Sequence, residues 1–202
     1  MINYHQIPRK KSAAEKGFTL VELMVVIAII ALIAGFTVAE INSTSHKLKS
    51  TARTLRAKMQ QARLLAVKEN CNVFVDFDLD GGGTIDSSYS LWRDGNNDNT
   101  YDDPIELIET ITLPEDISFG AVATGDGGPN RSASNSGSTA PTTNIVSFSG
   151  DSIRFSPQGT GSSGWAYLHA PNKDSSGTYA VGSNNVGRIQ SRYWVTSGGD
   201  WR

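Results

Sequence analysis

Asp94-Gly-Asn96-Asn-Asp98-Asn-Thr100-Tyr-Asp102-Asp103 gathers hard oxygen donors at alternate positions. Asp94, Asn96, Asp98 and Asp102 are spaced as the ligands of a calcium loop are spaced. The stretch lacks the central glycine of an EF-hand, and Glu106 falls one place late for the closing bidentate carboxylate. Asp, Asn and Gly also favour turns that hold no ion. A calcium site and a plain hairpin connection therefore both fit. Upstream, Asp76-x-Asp78-x-Asp80-Gly81 opens like an EF-hand, but Ser87 stands where the twelfth-position Glu belongs. Strand alternation alone accounts for that spacing.

The C-terminus sets Arg188, Arg192 and Arg202 beside Tyr193, Trp194 and Trp201, against Asp200. Arginines among aromatics can pair with phosphates and stack on bases. The plainer reading is a terminal β-strand with exposed arginines. Gly159-Thr-Gly161-Ser-Ser-Gly164 matches the dinucleotide fingerprint in letters only. That fingerprint needs a strand before it and a helix after it, whereas Trp165-Ala-Tyr167-Leu-His169 alternates like a strand. Beyond residue 17 the histidines are His46 and His169, and no activated-nucleophile motif accompanies them. Neither an enzyme nor a cofactor other than calcium is expected.

The elements that must position these residues follow from charge and hydropathy. The 202-residue chain carries a formal charge of −2 and is 38% hydrophobic, with its apolar residues concentrated near the N-terminus. Residues 1–17 are net +3, residues 46–69 are net +6, and residues 70–202 are net −9. An acidic C-terminal part argues against nucleic acid as its general partner. The single cysteine, Cys71, excludes an internal disulfide and a multi-cysteine metal site.

Phe18–Ile41 is an apolar run of 24 residues. As a helix it spans about 36 Å, enough for a bilayer core of about 30 Å. The basic leader keeps the N-terminus cytoplasmic and the remainder is exported. No A-x-A cleavage site follows Ile41, so the apolar segment is expected to be retained. Within it stands Glu22. A carboxylate at membrane depth costs about 2.5–3.5 kcal/mol on insertion scales, so Glu22 calls for a partner inside the membrane.

Lys16-Gly17-Phe18-Thr19-Leu20-Val21-Glu22, with the basic leader before it and the apolar helix after it, resembles the cleavage motif of type IV prepilins. The resemblance implies that prepilin peptidase cuts after Gly17 and that the new N-terminus, Phe18, is N-methylated. It also implies that Glu22 pairs with the N-terminal amine of a neighbouring subunit. Two charges that are each costly alone favour docking to each other. The chain has no proline within the apolar segment, where many pilins carry one.

Past the apolar run, Leu48, Ala52, Leu55, Met59, Ala62 and Ala66 recur at steps of four and three, one stripe of a helix. The basic residues fall mostly on other faces, and Asn70 is a suitable stop. Val73, Val75, Phe77 and Leu79 then alternate with aspartates, and Gly81-Gly82-Gly83 turns the chain back toward Tyr89–Trp92. Further strands are expected at 105–113, 117–122, 144–148, 152–155, 164–169, 178–181 and 188–195. Residues 124–143, rich in Gly, Ser, Thr and Asn, read as a long mobile loop.

The stalk string Gln61-Ala62-Arg63-Leu64-Leu65-Ala66-Val67-Lys68 running into Val73-Phe74-Val75, the Phe155-Ser-Pro-Gln-Gly159 element and the terminal Gly187-Arg188 strand are similar to the type II secretion pseudopilin H and FimT group. The expected fold class is α+β, a long N-terminal helix packed on a small antiparallel β-sheet or β-sandwich head. The expected segments are a leader (1–17), a transmembrane and filament-core helix (18–41), an amphipathic stalk (42–69) and a β-rich head (70–202).

The implied function is a minor pseudopilin of a type II secretion pseudopilus. Its partners would be prepilin peptidase, other pilins or pseudopilins and the inner-membrane assembly platform. Its place would be the bacterial inner membrane as a single-pass protein with a periplasmic head. A minor pilin of a type IV pilus that binds DNA for uptake, and a calcium-stabilised adhesive tip, are the alternatives. FimT-like proteins carry Gly-Arg with a second Arg close by; here Gly187-Arg188 is followed only at Arg192.

Overall fold

The computed structural model describes residues 18–40, 44–79, 81–82, 85, 87–102, 104–134, 141, 145–171, 177–195 and 197–202, and of residues 33–40 the backbone alone. The leader and Gly17 lie outside them. The chain divides into two compact units, residues 1–41 and 42–202.

The first unit holds helix α1, Leu20–Glu40. Thr19 starts it, its Oγ1 accepting the Glu22 backbone N–H at 3.2 Å. This is half of a capping box, with Glu22 at the third helical position. Among the described residues no helix is long and apolar enough to cross a membrane. The described side chains of α1 end at Leu32, so they cover only part of the expected span.

The second unit opens with helix α2, Thr44–Glu69. All six residues of the expected stripe, Leu48, Ala52, Leu55, Met59, Ala62 and Ala66, are buried. Each fully buried Leu or Met side chain contributes about 1.5–3 kcal/mol. That burial holds a helix whose outer face is basic. Asn70 ends α2 with φ of 55°, the left-handed position that closes many helices.

Two antiparallel sheets follow. The first has the order β3-β2-β1-β5, from β1 (Asn72–Asp76), β2 (Ser88–Asp94), β3 (Leu107–Thr112) and β5 (Ser152–Phe155). The second has the order β4-β6-β7-β8-β9, from β4 (Ser118–Phe119), β6 (Gly164–His169), β7 (Tyr179–Ser183), β8 (Ile189–Val195) and β9 (Asp200–Trp201). Helix α2 packs on both, chiefly on β1, β7 and β8. The α2 stripe joins Val73, Val75, Leu91, Ile153, Phe155, Leu168 and Val181 in one core. A smaller cluster of Ala133, Trp165, Tyr167, Ala180, Trp194 and Trp201 is separate from it. The observed class is α+β, a helix followed by an antiparallel β head.

Several expectations about strands change: the strand expected at 117–122 is only β4, Ser118–Phe119, and β1 ends at Asp76, before Phe77 and Leu79. Residues 105–106 belong to a 3-10 turn, Pro104–Glu106, and β3 starts only at Leu107. Pro104 has no N–H for a ladder. A register shift at Leu91/Trp92 also brings Leu107 opposite Trp92. In 145–148 the described residues form an isolated bridge, Val146 to Ala166, rather than a strand. Strand β9 has no counterpart among the expected strands; it is two residues long and pairs Trp201 with Trp194.

Of the expected mobile loop, residues 124–134 are held by several long-range bonds. Trp194 Nε1 donates to the Gly127 carbonyl at 3.1 Å and Trp201 Nε1 to the Arg131 carbonyl at 2.9 Å. Ala133 N–H donates to Tyr167 Oη at 3.1 Å. Residues 135–140 and 142–144 lie outside the described set.

Candidate functional site

The surface of α1 is the first candidate. Its described apolar side chains, from Leu20 to Leu32, are all exposed, as is Phe18 just before it at 83%. A continuous apolar surface of this kind needs lipid or protein to cover it. Glu22 lies on this exposed helix near its start.

The Asp/Asn stretch is the second. It connects β2 to the 3-10 turn before β3. Asp94 is fully buried, its Oδ1 accepting the Asp98 N–H at 3.0 Å and its Oδ2 the Asn99 N–H at 3.1 Å. Asn72 Nδ2 reaches the same Oδ2 at 3.4 Å. Asp98 Oδ1 accepts the Thr100 N–H at 2.8 Å and its hydroxyl at 2.6 Å, while its Oδ2 accepts from Asn96 Nδ2 at 2.9 Å. These bonds hold the exposed Asp98 carboxyl below its ordinary range, the Thr100 hydroxyl first among them. Asn96 Oδ1 accepts the Asp98 N–H at 3.2 Å. Asn96 and Asp102 line a surface cleft of about 820 Å³ that also contains Glu106.

In the other aspartate series, the described oxygens of Asp76 are taken up within the protein. Asp76 Oδ1 accepts the Asp78 N–H at 3.1 Å, and its Oδ2 accepts from Trp92 Nε1 at 3.2 Å. Burial raises its pKa above the ordinary value. Asp80 lies outside the described residues.

The arginines form the third candidate. Arg188, Arg192 and Arg202 line one open pocket of about 390 Å³. Arg56 of α2 joins them there, a residue that reading along the C-terminal stretch does not find. Arg192 is anchored: its Nη1 donates to the Ala133 carbonyl at 2.6 Å, and its guanidinium lies 5.3 Å from the Trp165 ring centre. Arg202 extends the sheet edge, exchanging backbone bonds of 2.7 and 2.9 Å with Tyr193. Arg56 and Arg188 have exposed side chains. Gly159–Gly164 runs from a turn after β5 into the first residue of β6, a strand rather than the helix that a dinucleotide site needs.

Cys71 and His169 are ordinary packed residues. Burial, and then the charge of Glu69, push the Cys71 thiol up, which makes it a weak nucleophile. Burial lowers the His169 pKa. Among the described residues no group of three or more His, Cys, Asp or Glu side chains is placed to hold a metal.

A family model described as the prokaryotic N-terminal methylation motif matches residues 12–38. A second, described as type II transport protein GspH, matches residues 51–187. The chain is similar to the pilin-like protein PilA1 of Thermus thermophilus, at 30% identity over 87 residues, 43% of this chain and 53% of that protein. It thus spans about half the length of this curated relative. Among solved structures, the minor pseudopilin EpsH from the type 2 secretion system of Vibrio cholerae covers 72% of this chain and is itself covered to 95%, at 10% identity and a TM-score of 0.44. The type IV minor pilin FimU of Pseudomonas aeruginosa covers 78% and is covered to 93%, at 15% identity and a TM-score of 0.46. With more than half of its length matched by one family model, the chain belongs to the type II transport protein GspH family of pilin-like proteins.

Proposed function

We propose that the chain is a minor pseudopilin that enters the pseudopilus of a type II secretion system through its N-terminal helix. The observation that carries this reading is the exposed apolar surface that runs from Phe18 through α1 to Leu32, with Glu22 near its start. The methylation motif over residues 12–38 and the GspH match support it. In this reading the chain is inserted in the inner membrane with its head in the periplasm. Prepilin peptidase cuts after Gly17, and Phe18 becomes the methylated N-terminus. The chain then docks with other pilins or pseudopilins on the assembly platform. Glu22 pairs with the Phe18 amine of a neighbour, which sets register.

The mass of the mature N-terminal peptide tests the processing step. A peptide that still begins at Met1, in cells with active prepilin peptidase, overturns it. For assembly, Glu22→Ala is expected to insert and be cut like the wild type, yet be depleted from sheared filaments. Equal incorporation of the variant removes Glu22 from the mechanism.

A second reading, a minor pilin of a type IV pilus that binds DNA, is favoured by one observation. Arg56, Arg188, Arg192 and Arg202 come from distant parts of the chain to line one pocket. The net charge of −9 over residues 70–202 opposes it.

A further inference from the structure

Glu106 is 6% exposed. Its Oε1 accepts the Gly95 N–H at 3.0 Å, while its Oε2 is buried with no hydrogen-bond partner. A buried carboxylate oxygen without a donor is costly, and a bound cation removes that cost. The residue lies in the wall of the 820 Å³ cleft, beside Asn96 and Asp102.

We propose that Glu106 is the closing ligand of a calcium-class cation site in the β2–β3 connection, with Asn96 and Asp102 as further side-chain donors and main-chain carbonyls completing the shell. Asp94 and Asp98 have a different task. Their oxygens are turned to the N–H groups and side chains of the loop itself, and that shapes the loop around the site. Asn96 Oδ1 also accepts one loop N–H, from Asp98, and its second lone pair is the one offered to the ion. Glu106 sits one place late by counting. The turn Pro104–Glu106 and the bond from the Gly95 N–H bring the carboxylate back to the start of the loop.

A mixture of carboxylate, amide and main-chain oxygens suits calcium, which accepts irregular shells of six to eight oxygens. It suits magnesium poorly, because that ion demands near-ideal octahedral geometry. The cationic group in the same cleft, Arg93, has an acidic neighbour in Glu69 at 3.4 Å.

The full-length protein in detergent provides the test. Terbium stands in for calcium, and its luminescence is sensitised by Tyr101 and Trp92, whose ring centres lie 5.9 Å apart at the loop. Saturable terbium emission that calcium displaces is expected, with a rise in Tm on adding calcium chloride that EDTA reverses. Glu106→Gln is expected to weaken calcium binding at least tenfold, and Asp102→Asn to weaken it less. Glu115→Gln, elsewhere on the surface, is expected to change nothing. Asn96→Ala, at an exposed loop position, supplies a second loss-of-binding variant if Glu106→Gln does not fold. A wild type with no saturable response to calcium overturns the site. So does a folded Glu106→Gln that binds as the wild type does, or an equal response to calcium and magnesium that no variant reduces.

Discussion

Arg63 Nε donates a 2.8 Å hydrogen bond to the Gly159 carbonyl, 96 residues further along the chain. Gly187 closes the same contact: a Cβ built on it would stand 2.2 Å from the Gly159 oxygen and 3.0 Å from Arg63 Nε. Three separate strings, the stalk Gln61–Lys68, Phe155–Gly159 and Gly187-Arg188, therefore meet at one point. That point fastens both sheets to α2.

The two glycines make different demands. Gly187 has φ of 72° and no room for a methyl group, whereas Gly159 has φ of 74° with its nearest neighbour at an ordinary 3.5 Å. Gly159→Ala is expected to cost about 1–2 kcal/mol, the left-handed penalty alone. Gly187→Ala adds a backbone clash and is expected to cost roughly 3 kcal/mol or more. Urea denaturation of the two variants side by side checks this. Equal midpoints contradict the close approach at Gly187.

The faces of α2 differ as sharply. Met59 is fully buried and Leu64 is 70% exposed. Met59→Ala is expected to lose about 2–5 kcal/mol. Leu64→Ala is expected to stay within about 0.5 kcal/mol. Thermal melts of the unassembled protein separate the two, and a destabilised Leu64→Ala would mean that the outer face is covered within the monomer.

His169 makes stability depend on mild acid. Burial holds its folded pKa below the usual value of 6.5. Between that folded pKa and 6.5, the unfolded chain binds more protons than the native one, so stability rises with pH through this window. Acidification from pH 7 therefore removes stability once it passes 6.5, and the loss levels off below the folded pKa. Urea midpoints measured from pH 5 to pH 8 for the wild type and His169→Gln check this. The difference between the two profiles is expected to change across the window. Parallel profiles would show that His169 titrates alike in both states.

Arg56 discriminates between the two functional readings. If the arginine pocket takes a polyanion, Arg56→Ala and Arg188→Ala each weaken binding of double-stranded DNA. Each also makes the fall of log K with log salt shallower, by about 0.9 for every phosphate that the variant leaves unneutralised. Fluorescence anisotropy from 50 to 200 mM salt, about the range in which such charge pairing acts, measures both effects. No binding by the wild type at the lowest salt removes the DNA reading.

Local pattern alone carried the helices and most of the strands. The stripe from Leu48 to Ala66 and the stop at Asn70 follow from helical period and the left-handed tolerance of Asn, both properties of neighbouring residues. Val73 and Val75, two residues apart, likewise mark the core face of β1, because strand faces repeat every two residues. The apolar run and the Glu22 motif are legible because they are contiguous. Relations between distant residues were not legible. Trp194 and Trp201 hold residues 127 and 131, Arg56 joins Arg188, and Glu106 is drawn under the Asp94 loop. Each depends on sheet register, on a bulge or on a turn. None of these changes the local composition, so only the packed head brings such residues together.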